Sequence, residues 1–294
     1  MADDRVRGFF VELLTPDYTG HNMRDTQIDL QLLKQRMRDT WMAGDFGQIA
    51  QYSAKGGEEF VNRLAISRGM RVLDVACGTG NLAVPAARAG AQVTGVDIAP
   101  NLLEQARQRA AGQGLLATFE EGDAEQLAYP DGQFDVVMSM FGAMFAPRPE
   151  RVSSELARVC RQGGTIAMAN WTPEGFVGKM FRLTSRYVPA PAGIPSPVLW
   201  GIEEVAKERF AAYATKTEAV RRAIIFDCPF PPKQVVQFFR DYFGPTQMAF
   251  SRLDAAGQSA LAAELEELWS EHNRGEQERT LVSAEYLEVV ATRA

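Results

Sequence analysis

The feature that most constrains the fold is an apolar run at residues 72–76 that ends in a glycine-rich turn at residues 77–80. A β-rich run, closely spaced glycines and an Ala-rich stretch in this order predict a buried strand, a tight turn and a helix. Without a Cβ atom at Gly78 and Gly80, the backbone can approach a ligand closely. We therefore expect a ligand site where this first strand ends.

The pattern of strand followed by helix continues beyond this turn. Short apolar runs alternate with stretches of helical spacing, which predicts an α/β, doubly wound, mostly parallel sheet. Helices are predicted, among others, at residues 26–41 with a cap at Thr26, and at residues 57–66, 100–111 and 175–188. The predicted strands are residues 71–76, 92–97, 117–121, 134–138, 165–170, 219–226 and 284–291.

The whole chain, residues 1–294, is expected to form a single domain with helical insertions. The insertion after the fifth predicted strand, residues 172–215, contains four prolines between residues 189 and 200. Their spacing predicts a stiff loop. Residues 1–22 have no clear period, and we expect a dimer arm, a lid or a disordered leader there. The expected divisions are an N-terminal helical lid (1–60), a ligand-binding core (61–171), helical cap insertions (172–215 and 229–280) and a last strand (281–294).

Charge and composition exclude several classes of protein. The 31 Lys and Arg residues against 37 Asp and Glu give a net charge of −6, which is unfavourable for a nucleic-acid binder. No apolar run approaches the ~18 residues of a membrane span, and the acidic start of the chain is unlike a signal peptide. Three distant cysteines and two histidines make neither a disulfide framework nor a metal site. We expect a cytoplasmic protein with no metal and no nucleic-acid or membrane partner.

Two kinds of ligand fit the glycine-rich turn. The pattern Gly78-x-Gly80-x-x-Ala83, with Asp97 at the end of the second strand, fits the fingerprint of dinucleotide-binding proteins. A nicotinamide-dependent oxidoreductase is therefore one alternative. Asp74 argues against it, because a carboxylate inside an apolar strand needs a partner and would repel a pyrophosphate. A ligand that ends in an α-amino group would pair with Asp74 instead.

The motifs taken together resemble the class I S-adenosylmethionine-dependent methyltransferases, whose first motif has the form acid-x-x-x-Gly-x-Gly. The resemblance is greatest to the small-molecule branch that includes the quinone-biosynthesis C-methyltransferases. It covers about residues 45–171 and implies a Rossmann-like, seven-stranded sheet whose last strand is antiparallel. The matching blocks are residues 74–80, 93–99, 121–125, 134–139 and 156–164.

This resemblance implies S-adenosylmethionine as cofactor and S-adenosylhomocysteine as its product. It implies that Asp97 binds both ribose hydroxyls, that Ile98 lies against the adenine, and that Asp123 accepts a hydrogen bond from the adenine amino group. The backbone amide of Ala124 would interact with the adenine ring. An N-terminal lid would cover the methionine end of the cofactor. The implied cofactor-binding residues are Phe46, Ile49, Tyr52, Asp74, Ala76, Gly78, Thr79, Gly80, Asp97, Ile98, Asp123, Ala124, Ser139 and Met140.

Large apolar side chains near the ends of the fourth and fifth strands predict a pocket for the acceptor, because ligands of open α/β sheets bind at those ends. The sequence departs from the family at Ala76, where a glycine is often present, and it lacks the histidine pair that many relatives carry after the fourth strand. With no evident base, we expect methyl transfer to a small, largely apolar or aromatic metabolite by proximity and desolvation. A protein that binds S-adenosylmethionine without catalysis stays an alternative function. A homodimer is a possible oligomeric state. The predicted pocket residues are Phe141, Met144, Trp171, Phe176 and Trp200.

Overall fold

The computed structural model describes residues 29–276 and 278–294. The expected cap at Thr26 and the expected arm at residues 1–22 lie outside the described residues. The first described helix, α1, begins at Leu30, and Asp29 caps it by accepting hydrogen bonds of 3.0 Å from the amides of Gln31 and Leu32. An Asp at this position satisfies amide groups that have no partner within the helix.

Seven strands form one mixed sheet in the order β3-β2-β1-β4-β5-β7-β6. Strands β1 to β5 pair in parallel, whereas β7 runs antiparallel to both β5 and β6. The predicted Rossmann-like, mostly parallel sheet with an antiparallel last strand is thereby confirmed. The strands are β1 (Arg71–Val75), β2 (Gln92–Asp97), β3 (Ala117–Glu121), β4 (Phe134–Met140), β5 (Cys160–Trp171), β6 (Ala214–Cys228) and β7 (Thr280–Arg293).

Helices cover both faces of this sheet and connect its strands. Of the described helices, three precede the sheet and three lie between β6 and β7. In chain order they are α1 (Leu30–Met42), α2 (Phe46–Ala50), α3 (Ala54–Arg63), α4 (Ala83–Arg88), α5 (Pro100–Ala111), α6 (Pro149–Val159), α7 (Phe176–Tyr187), α8 (Glu203–Phe210), α9 (Pro232–Tyr242), α10 (Gly244–Ser251) and α11 (Ala255–His272). Among the described helices, none is long and apolar enough to span a membrane.

Several element boundaries differ from the sequence expectation, and one helix was not expected. Strand β5 begins at Cys160 instead of residue 165, because Gly163 and Gly164 form an irregular step in the strand where its register with β4 shifts. Strand β6 begins five residues early, in a polar stretch that pairs with the end of β7 and has a register shift between Ala214 and Lys216. Helix α10 was not expected, because its sequence starts with Gly-Pro; a proline is tolerated in the first turn of a helix, where its missing N–H has no partner to lose.

The centre of the sheet sets the position of the site. Strand β1 lies between β2 and β4, and its residues Val72, Leu73 and Val75 are fully buried. Asp74 pairs in register with Gly95 on one side and Met138 on the other. Because the five parallel strands share one direction, their carboxyl ends meet at the same edge of the sheet. The expected divisions into lid, core and cap stay a prediction.

The burial of Leu73 gives a first test of this core. We expect Leu73→Ala to lower the free energy of unfolding by about 2–5 kcal/mol, since it leaves a cavity in the central strand. Leu116→Ala is the matched control, because Leu116 is 92% exposed and its truncation should have almost no effect. Urea denaturation followed by circular dichroism measures both. A similar small change for the two variants would contradict the position of β1.

Candidate functional site

A cavity opens at the carboxyl ends of β1, β2 and β4. The space between its walls, together with the open solvent at its mouth, is about 1060 Å³. The loops after these strands form its floor, and helices α1 and α2 contribute Met37, Trp41 and Phe46 to its wall. The cavity therefore lies between the sheet edge and the N-terminal helices.

Asp74 lies at the floor of this cavity and is 1% exposed. One of its carboxylate oxygens, Oδ2, accepts a 3.0 Å hydrogen bond from the amide of Ala83 at the start of α4. Burial raises the pKa of Asp74 well above its ordinary value, and the nearby charge of Asp97 raises it further. A buried carboxylate with one amide partner is completed best by a cationic ligand group.

The turn after β1 has left-handed backbone at several positions. Gly78 has φ +51° and Gly80 has φ +81°, and both lie where glycine is favoured over other residues. Ala76 also has φ +55°, in the position where the family often has glycine. Such a conformation costs a non-glycine residue about 1–2 kcal/mol. The turn therefore keeps the shape of the motif although one of its glycines is absent.

Asp97 joins the end of β2 to this turn. Its Oδ2 accepts a 2.8 Å hydrogen bond from the amide of Gly78, and its Oδ1 accepts one of 2.9 Å from the amide of Ala99. The side chain lines the cavity, and burial raises its pKa although these hydrogen bonds act in the opposite direction. Since a carboxylate oxygen has two lone pairs, each oxygen can accept one more hydrogen bond from a ligand.

Asp123 follows β3 and binds a side chain that the sequence did not suggest. The ammonium Nζ of Lys34, on α1, lies 2.5 Å from Oδ2 of Asp123 and 2.6 Å from a carboxylate oxygen of Glu125. The other oxygen of Asp123 accepts from the amide of Glu125. Lys34 is 89 residues away from Asp123 along the chain, so no local pattern could have indicated their contact.

The remaining wall is apolar and largely aromatic. Phe141 lies directly after β4 with φ +58°, and its ring stacks on that of Trp171 with centroids 3.6 Å apart and planes 8° apart. Phe145 lies one turn further on, with its ring centroid 5.2 Å from that of Trp41. Trp41 in turn contacts Phe46 at 5.8 Å. Trp41 and Phe145 are wall residues that the sequence did not predict.

Most of the predicted cofactor-binding residues come together at the cavity, along with one predicted pocket residue, Phe141. Ile49, Tyr52, Gly80 and Ser139 do not line it: Ile49 is in the core, and Ser139 accepts a hydrogen bond from the amide of Ala143. The predicted residues that line the cavity are Phe46, Asp74, Ala76, Gly78, Thr79, Asp97, Ile98, Asp123, Ala124, Met140 and Phe141.

Four predicted pocket residues lie elsewhere, which corrects the sequence interpretation. Trp200 is 1% exposed and packs under the guanidinium of Arg209, and it does not line the cavity. Phe176 packs on Trp269, with ring centroids 4.4 Å apart, and Met144 is in the core. Trp171 lies behind Phe141 and supports it. Large apolar side chains near strand ends pack into a core as readily as into a pocket, and sequence does not distinguish the two.

Two features bear on metal and base chemistry. In the part of the chain that the structure describes, no group of three His, Cys, Asp or Glu side chains is arranged to hold a metal ion. The described residues of the cavity wall include no histidine, and their titratable groups are Lys34, Asp74, Cys77, Asp97 and Asp123. Burial raises the pKa of the Cys77 thiol well above its ordinary value, which keeps this thiol neutral.

Comparison with known proteins gives the class. A family model described as a methyltransferase domain matches residues 73–168. An uncharacterized protein of Mycobacterium tuberculosis is 41% identical over 239 residues, 80% of this chain and 87% of its own length. A phosphatidylethanolamine N-methyltransferase of Cereibacter sphaeroides is 39% identical over 127 residues, 42% of this chain and 60% of that protein.

Solved structures share the fold at low sequence identity. The YcgJ protein of Bacillus subtilis has a TM-score of 0.56 and 17% identity, and the match covers 82% of this chain and 99% of that one. The [4+2]-cyclase SpnF has a TM-score of 0.53 and 21% identity, covering 82% of this chain and 81% of that one. Residues 73–168 are therefore a methyltransferase domain of the class I, S-adenosylmethionine-dependent type, and S-adenosylmethionine is the cofactor of that class. This replaces the nicotinamide alternative; the quinone-biosynthesis branch stays a prediction.

The raised pKa of Asp74 gives a pH-dependent test of the site. Because the folded-state pKa lies above that of the unfolded chain (about 3.9), the folded protein binds the additional proton. Stability should fall as the pH rises from the unfolded pKa to the folded one. Asp74→Asn removes this loss, so the variant should gain stability relative to the wild type as the pH rises from 4 to 8.

Urea denaturation at a series of pH values measures the effect. Glu267→Gln is the control, because Glu267 is exposed on α11, and its difference from the wild type should change little over the same range. If the difference between Asp74→Asn and the wild type were constant with pH, Asp74 would not be the buried, raised-pKa group described above.

Proposed function

We propose that the protein transfers the methyl group of S-adenosylmethionine to a small, largely apolar or aromatic acceptor, by proximity and desolvation. The observation that carries the proposal is the division of one cavity into two parts. Asp74, Asp97 and Asp123 line the part next to β1, β2 and β3, whereas aromatic side chains line the part next to α1 and the loop after β4. The first part suits the polar groups of the cofactor, and the second suits an apolar acceptor.

The acidic part fits S-adenosylmethionine group by group. Among the described residues, no cationic side chain pairs with the buried carboxylate of Asp74, and the α-ammonium group of the cofactor would provide such a partner. Asp97 has a free lone pair on each oxygen for the two ribose hydroxyls. Ile98 and Ala124 would flank the adenine, and Asp123 would accept from its amino group.

The aromatic part would act on the reacting groups by shape and exclusion of water. When bound, S-adenosylmethionine supplies a methyl group on a positively charged sulfur that leaves as a neutral thioether. The faces of Phe46 and Phe141 would stabilise positive charge beside them by about 0.5–2 kcal/mol. Alignment of the acceptor in a closed, dry site would contribute about 7–11 kcal/mol.

The acceptor itself has to provide a nucleophilic atom that reacts without deprotonation by a protein base. The titratable groups at the cavity wall belong to the acidic part or, like Cys77, are neutral, so no described side chain there is placed as a base for the acceptor. The aromatic part also has no described carboxylate beyond those of the acidic part, which favours a neutral acceptor over a cationic one. Three buried, unpaired cysteines are consistent with the reduced, cytoplasmic setting expected from the sequence.

Calorimetric binding of S-adenosylhomocysteine tests the cofactor site. The wild type should bind it, and Asp97→Ala should weaken binding by about 1–3 kcal/mol because charge-assisted hydrogen bonds are lost. Since Asp97 also holds the amides of Gly78 and Ala99, Asp97→Asn is included to preserve the size of the side chain. Asp131→Ala is the control and should bind as the wild type does. Absence of binding by the folded wild type would contradict the proposal.

Incubation with methyl-labelled S-adenosylmethionine and a library of small molecules, followed by mass spectrometry, tests the acceptor. Labelled product is expected from neutral aromatic or apolar compounds. Amines form a second arm, because one relative is named as a phosphatidylethanolamine N-methyltransferase. Label only in amines would overturn the acceptor class. No label with any compound would favour the non-catalytic alternative. A member of this fold need not be named for methyl transfer, since the fold neighbour SpnF is described as a cyclase.

A further inference from the structure

Lys34 holds the N-terminal helix against the acidic end of the cavity. Its ammonium group lies within 2.6 Å of carboxylate oxygens on both Asp123 and Glu125. The side chain of Glu125 is fully buried and also binds Arg148 at 2.8 Å, whereas that of Lys34 is 19% exposed. Partly buried ion pairs of this kind are screened less than pairs on the open surface.

A second cation one turn along α1 points to the same edge of the sheet. Arg38 lies 2.9 Å from a carboxylate oxygen of Glu121 at the end of β3, and its Nε donates to the backbone carbonyl of Ile98 at 3.2 Å. Positions 34 and 38 are four residues apart and therefore share one face of the helix. That face is held across the ends of β2 and β3.

The same helix also reaches the aromatic part of the cavity. Trp41, in its last turn, has edge-on ring contacts with Phe46, Phe145 and Phe243, with centroids 5.8, 5.2 and 6.0 Å apart. Lys34, Met37 and Trp41 all line the cavity. Helix α1 therefore extends from the acidic end to the aromatic end, above Asp74 and Asp97, which are 1% and 7% exposed.

We propose that Lys34 gates cofactor exchange: its ion pairs with Asp123 and Glu125 hold α1 closed over the cavity, and they must break before the cofactor enters or leaves. This inference rests on the proposed cofactor site. It differs from a simple binding contact in its kinetic consequence. A gate that is closed in both the free and the bound protein slows entry and release together, whereas a contact made only with the ligand slows release alone.

Stopped-flow tryptophan fluorescence with S-adenosylhomocysteine separates these cases in the full-length protein. Lys34→Met should raise the association and dissociation rate constants together, each by about five- to tenfold, with a smaller change in Kd. Lys34→Arg should restore slow exchange, because it keeps the charge. Arg36→Met is the control on the same helix, since Arg36 is exposed. Higher ionic strength should speed exchange in the wild type more than in Lys34→Met.

Faster dissociation with unchanged or slower association would make Lys34 a ligand contact and overturn the gate, as would unchanged rates. A ligand-free measurement keeps this test separate from that of the cofactor site. Hydrogen exchange of the amides of residues 30–42 should be faster in Lys34→Met than in Arg36→Met. Equal exchange in the two variants would contradict the closed helix. Failure of the wild type to bind S-adenosylhomocysteine would contradict the proposed cofactor site and any gating of its exchange, but not the closure of α1 by Lys34.

Discussion

The carboxylate of Asp74, enclosed in the central strand, is the constraint on which the rest of the site depends. It is 1% exposed, and it accepts a hydrogen bond from the amide of Ala83. A charge in this position costs stability, which its raised pKa expresses. The structure retains that cost at the floor of a cavity, where a cationic group can complete the pair. The carboxylate of Asp74 therefore lowers the stability of the fold while it provides a partner for the ligand.

The backbone of the loops around Asp74 is also strained. Ala76 and Phe141 both have left-handed backbone, one after β1 and the other after β4. Gly142 lets the two loops approach, because a Cβ atom there would lie 2.5 Å from the carbonyl oxygen of Ala76. Asp97 fixes the turn after β1 through the amide of Gly78. Strain of this kind persists where the neighbouring structure determines it, and it is common at functional sites.

The acidic part of the site could be predicted well from sequence, because its residues lie in or directly after short strands. The turn at Gly78, the acid Asp97 and the loop at Asp123 each have a local pattern, and all three line the cavity. The aromatic part was predicted poorly. Phe141 lines the cavity, but Trp200 is in the core and Trp41 was not expected. Apolar side chains carry no local mark of whether they face a cavity or a neighbouring helix.

The sequence by itself determined the order of strands and helices, the glycine-rich turn and the acids at the strand ends. These depend on hydrophobic period and on backbone conformations that neighbouring residues set. Only the tertiary structure decided which helix covers the cavity and which side chains complete it. Lys34 meets Asp123 across 89 residues of chain, and Trp41 meets Phe145 in the same way. Such contacts arise when separate elements pack, and no pattern within either element encodes its partner.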